Sequence, residues 1–127
     1  MDYLLVGLGS ALGGMARHWI ALTTLNRFGP AFPWGTFIVN VVGSLAIGFF
    51  ATLAVQGKGP MVNLPLQRFL LIGLFGGFTT FSSFSLQTLQ LFEKGQTNAA
   101  LMNVLGSILS CLFAAFIGMR AGRLLVG

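Results

Sequence analysis

The chain has 127 residues, 55% of them hydrophobic and 7% charged, with a mean hydropathy of +0.87; a water-facing surface takes about 25% charged residues, so a soluble domain is excluded. The net charge of +5 rests on single basic residues near the ends of apolar runs, which is the pattern of membrane anchors and topology signals rather than of a nucleic-acid patch. Two carboxylates, one histidine and one cysteine leave no metal-ligand cluster, intrachain disulfide or nucleophile–base pair to read, so no enzyme is expected.

A membrane helix needs roughly 20 mostly apolar residues, and four windows supply them within one domain, residues 1–127. The first is about Tyr3 to Leu25. Its start, MDYLLVGLG, has no basic stretch and no good cleavage site after it, so it is not read as a removable signal peptide. Gly9 and Gly13 stand four apart with Gly14 next, a spacing that lets membrane helices pack closely. Arg17 is the one basic residue well inside a span. It either draws anions toward a vestibule or snorkels to the interface.

The connector NRFGPAFP leads to a second span, about Trp34 to Gln56. Trp34, like Tyr3, stands at a span end, where interfacial aromatics belong. Gly35, Gly43, Ser44 and Gly48 again suit close packing. Asn40 places an amide at membrane depth, which is costly unless it bonds another helix or lines a pore. Pro30, Pro33, Pro60 and Pro65 fall in or beside this connector and the next, GKGPMVNLP, where proline starts or stops helices.

The third span, about Leu66 to Phe92, carries GLFGGFTTFSSFSLQ at its centre. Gly76-Gly77 followed by Phe78-Thr79-Thr80 invites a distorted backbone. If the helix breaks, its freed carbonyls make a cation site without any carboxylate, tolerated only inside protein or beside a wet cavity. The alternative is a kinked, continuous helix with a glycine packing face. Phe81 and Phe84, three apart, share a face. Their positive ring edges would stabilise a small anion, or the rings simply fill a helix interface. Ser82, Ser83 and Ser85 either donate hydroxyls to such an anion or bond back to the helix.

After EKGQTN the fourth span is about Ala99 to Val126. Asn103, Ser107, Ser110 and Cys111 form one helical stripe of uncharged hydrogen-bonding groups, better suited to an anion than to a desolvated metal ion. Both carboxylates, Asp2 and Glu93, lie at span ends, so no group is placed to carry a proton mid-membrane. Lys58, Arg68, Arg120 and Arg123 fall toward one side; Arg27, Lys94 and Arg17 fall toward the other. So even a balance gives a weak orientation, and the chain either inserts both ways or holds one topology on a weak signal.

GGFTTFSSF resembles the signature of the Fluc (CrcB) family of small fluoride channels. The family's GxxxGGxxR pattern stands as Gly9 to Arg17, and its second-span pattern as Gly35-Thr36, Asn40, Gly43 and Gly48; the resemblance covers nearly the whole chain. It implies an all-α membrane fold of four transmembrane helices, the third broken at its centre, in an antiparallel, dual-topology homodimer with two fluoride pores. It implies a structural sodium ion at the dimer centre, held by the backbone carbonyls of Gly76 and Thr79 from both subunits. Phe81 and Phe84 match the pore phenylalanines, Ser82 and Ser83 the hydroxyl pair, and Asn40 the pore asparagine. Asn103, Ser107 and Cys111 fall on the polar track, Arg17 on the vestibule arginine, and Thr80 and Gln87 on positions that couple to the pore. The family carries a glutamate at the place of Gln87 and often a serine at that of Cys111, which puts gating or throughput in question here. The expectation is a passive fluoride exporter of the inner (plasma) membrane, with fluoride, lipid and a second copy as partners and no nucleic acid. A small multidrug-type proton antiporter and a non-transporting membrane assembly subunit are the alternatives.

Overall fold

Connector chemistry decides where the helices stop. In the computed structural model, which describes all 127 residues, α1 runs Asp2–Phe28 and ends at Gly29, whose φ of 76° suits a residue without a Cβ. Pro30 and Pro33 lie beyond it, and α2 runs Trp34–Val55. A short 3₁₀ turn, Gly59–Val62, follows. The Asn63 side chain then accepts a hydrogen bond from the Leu66 amide at 3.0 Å and caps the next helix.

The third rod is a composite. It comprises α3 (Leu64–Gln67), a wider π-helical stretch (Arg68–Phe75), α4 (Gly76–Phe78), two extended residues, and α5 (Phe81–Glu93). The last helix, α6, runs Thr97–Val126. By length and composition α2, the rod Leu64–Glu93 and α6 are long and apolar enough to cross a membrane. The first expected span falls short of that, although α1 has 27 residues. Arg17, His18 and the low hydropathy of its four glycines offset its leucines.

Glycine seams hold the helices together. A Cβ at Gly9 would overlap the Phe69 carbonyl oxygen and one at Gly13 the Leu74 carbonyl oxygen; one at Gly77 would lie 2.6 Å from the Ser10 oxygen. The backbones of α1 and the third rod therefore touch, as the spacing in the first span predicts. A second seam joins α2 to α6, where Gly48 meets the Ala115 backbone and Gly118 the Leu45 oxygen. Gly43 faces the Thr79 methyl, so α2 also sits against the break.

Only 20 residues are buried, and Asn103, Ser107, Thr80 and Thr88 are among them, while Leu105, Leu112 and Phe113 face outward. Polar groups inside and apolar groups outside are what a lipid solvent selects.

Candidate functional site

The interruption in the third rod falls at Thr79 (φ −79°, ψ 155°) and Thr80 (φ −152°, ψ 111°). The break falls inside the expected stretch Gly76 to Thr80, at its threonines, while the glycine pair is itself helical. Gly77 is consumed by the contact with Ser10, and the β-branched threonines, which favour extended backbone, take the break.

Accounting for the backbone groups shows what the break releases. The Thr79 amide still donates to the Phe75 oxygen at 3.0 Å, as does its hydroxyl at 2.9 Å. The Thr80 amide, which a continuous helix would aim at the Gly76 oxygen, donates instead to Asn40 Oδ1 at 2.8 Å. The Ser83 amide, which would meet the Thr79 oxygen, donates to Thr80 Oγ1 at 3.2 Å and so caps α5. The break thus leaves the carbonyls from Gly76 to Thr80 without their helical donors, Gly76 and Thr79 among them. Thr79 finds another donor, Arg17 Nη1, at 3.4 Å. Gly76 lies at the surface of the single chain, with nothing nearer to a would-be Cβ than the Leu71 oxygen at 3.8 Å.

Asn40 mends the rest. Besides accepting from the Thr80 amide, it donates from Nδ2 to the Thr80 oxygen at 3.0 Å. One side-chain amide replaces the two backbone partners that Thr80 lost. An unpaired backbone group in hydrocarbon costs several kcal/mol, so this pair of bonds is what makes the break tolerable.

Beside the break lies a groove of about 370 Å³. It brings together Asn40, Thr79, Thr80, Phe81, Phe84, Ser107 and Cys111 of the residues singled out from sequence, with Ser44 added from α2. The rings of Phe81 and Phe84 lie 5.5 Å apart, centroid to centroid, at 47°. Phe81 is 78% exposed, so it is not filling a core. No carboxylate lines the groove.

Other expected residues lie elsewhere. Ser82 and Ser83 stand behind the break, their hydroxyls 3.3 and 3.1 Å from Thr80 Oγ1. Asn103 is 1% exposed and lies behind the wall. It donates to Thr88 Oγ1 at 2.9 Å and accepts from Ser107 Oγ at 3.2 Å, while Thr88 Oγ1 donates to the Phe84 oxygen at 2.7 Å. Thr88 was not anticipated; its spacing of four from Phe84, facing the stripe on α6, is the signal that marks it. Gln87 lines a separate cavity of about 240 Å³ under the α1–α2 connector, and its buried Oε1 has no partner. Arg17 does not line the groove; its guanidinium turns to the break. No group of His, Cys, Asp or Glu side chains is placed to hold a metal ion, so a cation here would be held by neutral oxygens.

Comparison with known proteins bears on the same residues. The family model described as "CrcB-like protein, Camphor Resistance (CrcB)" matches residues 4–119. A protein of Paramagnetospirillum magneticum named fluoride-specific ion channel FluC is 45% identical over 125 residues, 98% of each chain. Proteins of the same name from Opitutus terrae and Methylocella silvestris are 47% and 48% identical, over 91% and 93% of this chain and 88% and 90% of their own.

Proposed function

The chain belongs to the CrcB-like family, is a membrane protein and not an enzyme, and from that premise we propose that it is a fluoride-selective channel through which the ion leaves the cell passively. The observation that carries the reading is the groove at the break. It has two phenylalanine rings, hydroxyl and amide groups, and no fixed negative charge, in a chain whose relatives are named as fluoride-specific ion channels.

Fluoride is small and strongly hydrated, so a path through a bilayer must replace part of its water. Ring edges of Phe81 and Phe84 offer positive potential without a charge that would trap the ion. The hydroxyls of Ser107 and Thr80 lie along the same wall and donate at rest to Asn103 and Ser83, so each turns to donate to a passing ion. Asn40 acts at one remove, because both ends of its amide hold Thr80 and thereby hold the wall. Hydrofluoric acid enters as a neutral molecule and dissociates in a near-neutral cytoplasm, so a passive anion path carries it outward. The inner membrane of a bacterium is where such a path serves.

The working unit is an antiparallel pair of chains with two paths. The near-even distribution of Lys and Arg supports insertion both ways, and the outer face of Gly76 is open to a second copy. The freed carbonyls of Gly76 and Thr79 fit a hard monovalent cation such as sodium, since two chains supply four neutral oxygens and no carboxylate. When bound, the ion supplies positive charge and a tie between subunits.

The test is ion release from proteoliposomes loaded with fluoride or chloride, with potassium and valinomycin balancing charge and no pH gradient. Fluoride leaves and chloride stays. Equal loss of both, or no loss of fluoride, overturns the reading; strict dependence on a proton gradient replaces it with an antiporter.

A further inference from the structure

Gly9, Gly13 and Arg17 stand at intervals of four on α1, so they share one helix face. The first two positions press the α1 backbone against the third rod. A Cβ at Gly13 would lie 2.8 Å from the Phe78 amide nitrogen. The next position on that face therefore arrives at Thr79, and the long Arg17 side chain ends on the carbonyl that the break released, at 3.4 Å.

Three features make this a provisional contact. The distance is beyond the usual N–H···O range of about 2.7–3.2 Å, and well beyond that of a charge-assisted bond. Arg17 has no acidic partner, since the one ion pair in the chain joins Arg68 to Asp2. Arg17 also lines an open surface recess, shared with Ser10, Gly14 and His18, and a Cβ at Gly14 would meet nothing within 4 Å. There is room for the side chain to leave.

We propose that Arg17 and the bound cation are alternative occupants of the Thr79 carbonyl, so that cation binding turns the guanidinium out into the recess. This rests on the reading that a monovalent cation binds at Gly76 and Thr79. Two positive charges on one carbonyl oxygen repel strongly wherever water is scarce. The guanidinium satisfies the oxygen while the cation is away and yields to it on binding. Its charge then adds to the potential that an approaching anion meets. By linkage, removing the arginine charge tightens cation binding.

The experiment titrates the purified channel with sodium chloride against N-methylglucamine chloride at constant ionic strength and follows the thermal unfolding midpoint. In Arg17→Gln the sodium concentration for half the shift falls by about tenfold, a coupling of ordinary size. In Arg17→Lys, and in the remote charge control Arg120→Gln, it stays within about twofold of the unaltered chain. On the unaltered chain, phenylglyoxal modification of Arg17 read by mass spectrometry runs faster with sodium than without, relative to Arg120; this arm needs no variant to fold. A sodium shift that Arg17→Gln leaves unchanged, or Arg17 reactivity indifferent to sodium, overturns the exchange while the cation site stands. No sodium shift in any of the proteins overturns the cation site and the exchange together.

Discussion

Asn40 shows how one side chain decides whether a broken helix survives in lipid. Its amide serves both polar groups of Thr80, at 2.8 and 3.0 Å. Asn40→Ala leaves both without partners, at about 1–3 kcal/mol each, and unfolding in detergent should record a loss of that order. Asn40→Asp keeps the shape but sets a carboxylate against the Thr80 carbonyl, so it should be at least as damaging. The phenylalanines should behave differently. Phe81 is exposed at 78%, so Phe81→Ile costs little stability, yet it removes a ring edge and flux should fall by about tenfold, the worth of one aromatic contact. Phe84→Ile should lose flux similarly. Liposome flux set beside the melting midpoint separates the two effects, and unchanged flux in both variants would make the rings packing residues. That Asn40 needed a partner was legible in the sequence, because an amide at membrane depth always does. Which partner it had was not, because the choice depends on where another helix breaks.

At the scale of elements, the adjacent glycines of the third rod do different jobs. A Cβ on Gly77 would lie 2.6 Å from the Ser10 oxygen, whereas the space beside Gly76 is open. Gly77→Ala forces two backbones apart and should cost about 1–3 kcal/mol or more. Gly76→Ala should leave the single chain folded and weaken only the assembly of two chains. Circular dichroism melting and cross-linking of the pair check both outcomes; equal loss of stability in the two variants would refute the distinction. The four rods and their connectors were readable from apolar length and proline placement, and α2 begins at Trp34 as expected. The break was readable to the stretch Gly76 to Thr80, but not to the two residues within it that take the extended backbone. Glycine is flexible on paper, but close packing took up that freedom at Gly77, and threonine hydroxyls that bond Phe75 and cap α5 set the interruption at Thr79 and Thr80. α1 is less apolar than the other three rods, and two of its glycines, Gly9 and Gly13, touch a neighbour rather than lipid.

The molecule turns most of its leucines outward and buries Asn103, Ser107, Thr80 and Thr88. With basic residues almost evenly shared between its two sides, insertion in either direction should be similarly favourable. A C-terminal tag probed from each side of sealed vesicles should be reached from both in one preparation; access from one side alone would rule out dual topology. The interior row that begins at the groove has a direction of its own. Ser107 donates to Asn103, Asn103 to Thr88, and Thr88 to the Phe84 carbonyl, so the row leaves the groove at Ser107 with its hydrogen turned inward and ends on the backbone of another groove residue, Phe84. An arriving anion first meets Ser107 as bare oxygen. To be greeted by a hydrogen it must turn that hydroxyl round, which strips Asn103 of its donor and slackens the chain as far as α5. If the groove is the proposed path, the wall is set like a turnstile at Ser107, and an ion that bonds there has to reverse it.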